Sequence, residues 1–180
     1  EVFKKVDLLL KSGYSNFKIA VNLSDVQLRN QKLITYVKYL CDIYKIDGRY
    51  IEFEITEGIL IKSYEDTLRS LYELKKLGST IALDDFGTGY SSLNYLTKLP
   101  IDALKIDRSF VIDMIENHKS RWIVENIIQL SHKLGIEVVA EGVELEEQVD
   151  YLKSILCDIV QGYFYSKPES FEKVVNLLEK

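Results

Sequence analysis

The sequence predicts a parallel α/β barrel of the (β/α)8 type, and two observations favour it. Short β-branched runs alternate with longer helical patterns, as in βα units around a parallel sheet. Six predicted strands also end in a polar residue at their C-terminal side: Asn22, Glu54, Asp84, Lys105, Glu141 and Gln161. The C-terminal strand ends of such a barrel meet at one mouth, whereas a doubly wound sheet concentrates its chemistry at one switch point. One polar group from each of six strands therefore favours the barrel.

We expect residues 1–180 to form one partial domain, because no Pro/Gly-rich linker or low-complexity tract interrupts them. A closed barrel needs eight strands, so about six of eight βα units are present. The chain opens on Glu1 rather than Met, and its first visible strand already carries Asn22. We therefore expect the missing units to be the N-terminal ones.

The first predicted elements are a helix, a strand and a second helix. An amphipathic helix over 2–12 ends at Gly13, and a buried strand follows over 17–23. Ser24 starts the next helix, in which Gln27, three residues later, completes a capping box.

The second strand, over 51–56, alternates apolar and polar residues, so its polar side chains share one face of the sheet. Ser63 is predicted to cap the helix after it, and Gly78 to end that helix. The apolar stripe of this helix consists of Leu68, Leu71, Leu74 and Leu77.

The rest of the chain repeats the alternation. A strand over 80–83 runs into a glycine-containing loop over 84–89. The later predicted elements are a strand over 103–106, a helix through 122–134 ended by Gly135, a strand over 137–140, a helix near 144–152, a short strand near 158–160 and a final helix from about Ser170.

Composition excludes several classes of function. The net charge of −5 argues against a nucleic-acid polymer as partner, because such binding depends on a basic surface. The sequence contains no run of about 18 apolar residues and no signal-peptide pattern, so no direct membrane insertion is expected. Cys41 and Cys157 lie far apart among apolar residues and indicate reduced core thiols of a cytoplasmic domain.

Two adjacent aspartates, Asp84 and Asp85, precede a short segment that contains Phe86, Gly87, Thr88 and Gly89. Adjacent carboxylates at a strand end repel each other unless a cation lies between them, and the glycines let the loop fold tightly beside the site. The alternative is a solvated acidic turn. A kinase-like Asp-Phe-Gly motif is excluded, because the lysine follows the motif and no His-Arg-Asp loop precedes it.

Glu54 and Asn22 offer further oxygen ligands from neighbouring strands. A carboxylate in the otherwise Ile/Phe-rich strand of Glu54 would be costly to bury without a partner. For Asn22 a turn or capping role is the alternative. Oxygen ligands without nearby His or Cys favour Mg²⁺ or Mn²⁺ over Zn²⁺.

Lys105, at the end of an apolar strand, has three interpretations: a surface lysine, a Schiff-base lysine, or a cation beside water and phosphate. The acidic residues favour the third, because they would keep the amine protonated and poorly nucleophilic. Glu141 and Glu144 supply further carboxylates at a strand end, and Gln161 is placed to support the site by hydrogen bonding.

Six segments carry a resemblance to a known family. They are Val-Asn-Leu-Ser (21–24), Glu-Ile-Thr-Glu (54–57), Asp-Asp-Phe-Gly-Thr-Gly-Tyr-Ser-Ser-Leu (84–93), Leu-Lys-Ile-Asp (104–107), Ala-Glu-Gly-Val-Glu (140–144) and Gln-Gly-Tyr (161–163). Together, and in this order, they resemble the EAL family of cyclic di-GMP phosphodiesterases. The resemblance implies a barrel that hydrolyses cyclic di-GMP to the linear dinucleotide pGpG with two Mg²⁺ or Mn²⁺ ions in bacterial second-messenger signalling.

The resemblance also implies a role for each matched residue. Metal ligands would be Asn22, Glu54 and Asp84, with Asp84 bridging to a second ion that Asp85 helps to hold. Lys105 would contact the attacking water or the second site, and Glu141 would be the general base or a ligand of the second ion. Supporting residues would be Gln161, Glu144 and Glu57, the last of which would anchor the loop 86–92.

The Glu-Ala-Leu signature itself is absent from the 180 residues, and we expect it upstream of Glu1. Residues 1–180 alone are therefore expected to be inactive, and the same chain with its upstream segment active. The resemblance further implies a cytoplasmic homodimer, fused upstream to a sensor or cyclase domain in a parent protein that is itself membrane-anchored or free.

The alternative function is a catalytically silent cyclic di-GMP receptor or a protein-interaction module. Such relatives usually lose a ligand carboxylate or the paired aspartates. Every one of these positions is intact here, which favours the enzyme: Glu54, Asp84, Asp85, Lys105 and Glu141. A Schiff-base aldolase is a third, weaker hypothesis.

Overall fold

The structure is a computed structural model that describes residues 1–61, 64–87 and 96–178, with Leu60 and Ile61 described by their backbone alone. Its centre is a six-stranded sheet in which every pair of neighbours is parallel and the strands lie in sequence order. The strands are β1 (Ile19–Asn22), β2 (Ile51–Thr56), β3 (Thr80–Phe86), β4 (Ala103–Ile106), β5 (Glu137–Glu141) and β6 (Ile159–Gln161). The sheet is the curled part-barrel that the sequence predicts.

Helices connect the strands and cover the outer face of the sheet. In the described ranges they are α1 (Val2–Lys11), α2 (Asp25–Leu28), α3 (Lys32–Tyr44), α4 (Tyr64–Lys76), α5 (Arg108–Asp113), α6 (His118–Leu134), α7 (Glu146–Ser154) and α8 (Phe171–Leu178). Short 3₁₀ helices occupy Gly48–Tyr50 and Glu57–Ile61. None of the helices within the described ranges has the length and apolarity needed to cross a membrane.

Several local signals act as predicted. Gly13, just beyond α1, adopts a φ of +91°, which a residue with a Cβ rarely adopts. Ser24 and Gln27 form both hydrogen bonds of the capping box at α2. The predicted Ser63 cap lies outside the described residues.

The structure corrects one boundary that matters for the site. Residues 84–86 were predicted to form a loop, but β3 continues through Phe86. The pairing of β3 with β4 shifts register between Leu83 and Phe86, and Asp85 adopts a φ of +56°. This irregularity is a β-bulge, which re-aims side chains within a continuing strand. Both aspartates therefore lie on the sheet rather than beyond it.

The two faces of the sheet differ in composition. The outer face packs against the helices in the main core and carries Ile51, Phe53, Ile55, Ile81, Leu83, Leu104, Ile106, Val138 and Ala140. The inner face has a separate small cluster of Ala82, Ala103 and Val139. Asp84, Lys105 and Glu141 follow these three residues by two positions each, so their strands place them on the inner face, one layer nearer the C-terminal strand ends.

At the opposite end of the sheet, the carboxylate of Asp158 cross-links neighbouring elements. Asp158, directly before β6, accepts a hydrogen bond from the Val138 N–H of β5 at 2.9 Å, and the same oxygen lies 2.9 Å from His132 Nε2 of α6. One side chain therefore joins two strands and a helix.

We expect Asp158→Ala to lower the free energy of unfolding by about 1–3 kcal/mol, because the partly buried Val138 N–H loses its acceptor. Urea denaturation of the purified protein measures the change. Asp150→Ala, which removes an exposed carboxylate from α7, is the control and should stay within about 0.5 kcal/mol of the parent. Equal stability of the Asp158→Ala and parent proteins would show that this cross-link is unimportant.

Candidate active site

Lys105 lies at the centre of a group of buried and half-buried carboxylates at the C-terminal end of the sheet. Its Nζ is 2.6 Å from Glu54 Oε1, 2.7 Å from Glu141 Oε1 and 3.1 Å from Asp84 Oδ1. We call these four residues the Lys105 cluster. They come from β4, β2, β5 and β3, so four consecutive strands of the sheet meet at one ammonium group.

The cluster keeps Lys105 charged. Burial alone would lower the pKa of Lys105, but hydrogen bonds to Glu141 and Glu54, together with the charges of Glu141 and Asp84, raise it above its ordinary value. A Schiff-base lysine must lose its proton to act as a nucleophile. The geometry therefore argues against the aldolase hypothesis and for a permanent cation at this site.

Asp85 joins the cluster from the bulge in β3. One carboxylate oxygen from each of Asp84, Asp85 and Glu141 lies within 4.8 Å of the other two. Burial is the main cause that raises the pKa of Asp85 and of Glu141, and nearby carboxylates raise both further. A cation relieves such repulsion, and an all-oxygen donor set suits a hard divalent ion such as Mg²⁺ or Mn²⁺. The residues present therefore fit a metal site.

Asn22 and Gln161 flank the cluster on the outer strands of the sheet. Asn22 in β1 pairs in register with Glu54, and Gln161 in β6 pairs with Glu141. Both side chains are exposed, and within the described ranges neither donates a hydrogen bond to the cluster. The structure thus places Asn22 beside Glu54 and Gln161 beside Glu141, at the predicted level of the sheet.

Glu57 and Glu144 form no ion pair with Lys105. Glu57 is 8% exposed, and neither of its carboxylate oxygens has a hydrogen-bond partner among the described residues. Glu144 instead pairs with Arg108, whose Nη2 is 2.7 Å from Glu144 Oε1. Glu57 is thus buried, whereas Glu144 is exposed.

The segment after the aspartates is described only in part. Phe86 is buried in the main core. Gly87 has a φ of +101°, and a Cβ built there would lie 2.8 Å from Cε2 of Phe110, so no larger residue fits without movement. Thr88 and Gly89 lie outside the described residues.

Asp107 is a residue of the site that the sequence reasoning did not single out. Its carboxylate accepts a hydrogen bond from Ser109 N–H at the start of α5, and its charge contributes to the raised pKa of Asp85. The available signal was its spacing: Asp107 follows Lys105 by two residues, which in an extended chain puts both on one face.

Arg108 is a second such residue. It lines a cavity of about 220 Å³ next to the cluster, together with Glu141, Gln161 and Tyr163. Its aliphatic stem packs over Gly142, where a Cβ would lie 2.2 Å from Arg108 Cγ. No local sequence signal indicated this contact, because it joins segments that only the fold brings together.

A parallel βα part-barrel with carboxylates and a lysine at its C-terminal strand ends defines the chain as part of a (β/α) barrel domain with a metal-compatible mouth. The family model described as "EAL domain" matches residues 1–168. The chain belongs to the EAL domain family, and the resemblance drawn from the six segments is confirmed.

Individual relatives agree with this assignment. The chain is 39% identical over 157 residues to the cyclic di-GMP phosphodiesterase NbdA of Pseudomonas aeruginosa, covering 87% of this chain and 20% of NbdA. It is 34% identical over 175 residues to the bifunctional diguanylate cyclase/cyclic di-GMP phosphodiesterase MucR of the same organism, covering 97% of this chain and 26% of MucR. The chain thus spans only about a fifth to a quarter of the length of these curated relatives.

Solved structures show the same fold. The MucR phosphodiesterase in complex with cyclic di-GMP superposes with a TM-score of 0.90 at 34% identity, covering 96% of this chain and 70% of that one. The EAL domain of Mycobacterium smegmatis DcpA superposes with a TM-score of 0.93 at 34% identity, covering 98% of this chain and 80% of that one.

Proposed function

We propose that the complete domain to which residues 1–180 belong is a metal-dependent phosphodiesterase that hydrolyses cyclic di-GMP to pGpG. The observation that carries the proposal is the Lys105 cluster, with Asp85 beside it, at the mouth of an EAL-family barrel. Two relatives support the substrate: NbdA is a cyclic di-GMP phosphodiesterase, and the MucR phosphodiesterase structure holds cyclic di-GMP.

The resemblance to the EAL family implies how the residues would divide between two ions. Asn22, Glu54 and Asp84 would hold one ion, and Asp84 and Asp85 would hold the other. When bound, Mg²⁺ or Mn²⁺ would supply positive charge that activates water and neutralises charge developing on the phosphate. We assign Gln161 the supporting role of orienting groups on the Glu141 side.

The remaining chemistry falls to the chain's own side chains. Water attacks phosphorus, and the bond from phosphorus to the 3′ oxygen breaks, because pGpG keeps its phosphate on the 5′ side. Glu141, in its ionised form, would accept the proton of the attacking water or hold the second ion. Lys105 would donate hydrogen bonds to that water or to the phosphate oxygens, and the departing 3′ oxygen takes up a proton to become a hydroxyl group.

We further propose a cytoplasmic homodimer joined upstream to a sensor or cyclase domain. MucR supports the fusion, because it combines a cyclase with a phosphodiesterase and this chain matches only 26% of it. Sedimentation of the complete domain tests the dimer.

The direct test of the function is hydrolysis. The complete domain is incubated with cyclic di-GMP in MgCl₂ or MnCl₂, and in excess chelator, with the products separated by chromatography. We expect pGpG with either metal and no product in chelator. Tight binding of cyclic di-GMP without cleavage under all conditions would identify the receptor instead.

The buried Glu57 gives a further prediction. We propose that its carboxylate positions the segment that follows Gly87, so Glu57→Gln should lower turnover by about 10–100-fold, the usual effect of losing a supporting residue. Stability should change little, because a buried amide is less costly to desolvate than a buried carboxylate, and the Glu57 carboxylate has no hydrogen-bond partner among the described residues. Turnover and urea unfolding are measured together, with the exposed Glu116→Gln as control. A large loss of stability with unchanged turnover would mean that Glu57 serves the fold alone.

A further inference from the structure

The carboxylates around Lys105 carry more negative charge than its single ammonium group can neutralise. Three carboxylates contact Lys105, from Glu54, Asp84 and Glu141, and among the described residues these three form an ion pair with no other cation. Asp85 places a fourth carboxylate close to Asp84 and Glu141. The side chains are 6% exposed for Lys105, 8% for Glu54, 14% for Asp84 and 19% for Glu141. Carboxylates so poorly solvated need a cation close by.

Lys105 meets this need with all of its donors. An ammonium group has three N–H donors, and three carboxylate oxygens lie 2.6, 2.7 and 3.1 Å from Nζ. In this arrangement no donor remains for a water molecule or a phosphate oxygen. The role of Lys105 in hydrolysis therefore requires that at least one of these contacts is released.

We propose that Lys105 is the resident cation of the ion-free site and that divalent ions bind in competition with it. The proposal rests on the metal site in the proposed function. Glu54 and Asp84 are needed both by Lys105 and by an ion, and two cations among the same oxygens repel each other. Ion binding thereby draws carboxylates away from the ammonium group and frees its donors for water or phosphate, which links metal loading to activation of Lys105.

The experiment compares the complete domain with its Lys105→Met variant, which removes the charge while keeping a side chain of similar length. Calorimetry measures the Mn²⁺ dissociation constant, and thermal unfolding is followed in EDTA and in saturating MnCl₂. We expect Mn²⁺ to bind the variant at least about 10-fold more tightly, since its competitor is gone. In EDTA we expect the Tm of Lys105→Met to be lower than that of wild type. In saturating MnCl₂ we expect this difference in Tm to disappear or to change sign.

Lys75→Met is the matched control. Lys75 forms an ion pair with Asp102 at the opposite end of the sheet, so this variant loses the same charge and also one ion pair. The Tm of Lys75→Met should lie below that of wild type by the same amount in EDTA and in MnCl₂. Its Mn²⁺ affinity should equal that of wild type.

Equal or weaker Mn²⁺ binding by Lys105→Met, or a Tm deficit that Mn²⁺ leaves unchanged, would overturn the proposal. If the variant fails to fold in EDTA, Mn²⁺ should restore folding, and failure in both conditions also overturns it. If the wild-type domain binds no Mn²⁺, both this inference and the metal site of the proposed function are refuted. Wild type that binds Mn²⁺ and hydrolyses substrate, beside a variant of unchanged affinity, refutes this inference alone.

Discussion

Asp84→Asn should reduce the phosphodiesterase activity of the complete domain by at least about 100-fold. Losing a residue that only supports a metal ligand typically costs 10–100-fold, and Asp84 is the proposed ligand of both ions. The asparagine oxygen can still accept a hydrogen bond from Lys105 Nζ, which lies 3.1 Å from the present carboxylate. We therefore expect the variant to fold.

The assay is cyclic di-GMP turnover in saturating MnCl₂, with Mn²⁺ binding followed in parallel by calorimetry. Asp113→Asn, at the exposed end of α5, changes the same type of residue away from the cluster and should leave both unchanged. Robust hydrolysis by Asp84→Asn, or by wild type in excess chelator, would contradict the metal-dependent mechanism.

Glu141→Gln is the second variant with a large expected effect, a fall in turnover of about 10²–10⁴-fold. Its carboxylate combines three properties: contact with Lys105 at 2.7 Å, proximity to Asp84 and Asp85, and a pKa raised by burial. A glutamine keeps the shape but can neither accept a proton nor balance the charge of an ion. If the turnover of Glu141→Gln stays within a factor of a few of wild type, Glu141 is neither the general base nor a required metal ligand.

The number of Mn²⁺ ions bound by Glu141→Gln separates the two roles of this residue. Retention of two ions with lost turnover identifies a general base, whereas loss of one ion identifies a ligand. Glu57→Gln is the control, because its carboxylate makes no contact with Lys105 and its variant should keep two ions.

The pH dependence of Mn²⁺ binding follows from the same residue. Burial raises the pKa of Glu141 above its ordinary value of 4.5 in the ion-free protein, so protonation begins at a higher pH than for an exposed glutamate. Protons and metal compete for the carboxylate. Mn²⁺ affinity should therefore fall as the pH decreases towards the raised pKa, and Glu141→Gln should weaken this dependence.

Local signals in the sequence were sufficient for much of the fold. The six strands and their order could be predicted, because apolar alternation and glycine stops act over a few neighbouring residues. The polar residue at each strand end could also be assigned to one mouth, since parallel strands place their C-terminal ends together. The family resemblance then supplied roles that composition and spacing alone left open.

Contacts between distant segments could not be predicted in this way. Glu144 was grouped with the site, but its partner there, Arg108, lies 36 residues earlier in the chain and was not indicated by the sequence. The central position of Lys105 likewise depends on β4 lying beside β3 and β5 and on the curl of the sheet, which brings Glu54 of β2 within reach. Neither relation leaves a pattern in the neighbouring residues.

The paired aspartates show most clearly where sequence and tertiary structure divide. The sequence by itself determined that Asp84 and Asp85 follow a buried strand and that their charges call for a cation. Strict alternation would send adjacent side chains to opposite faces of the sheet. Only the folded chain, with its register shift between Leu83 and Phe86 and the left-handed backbone at Asp85, brings both carboxylates to Glu141. The bulge depends on pairing with β4, which lies some twenty residues further along the chain, and local sequence does not encode it.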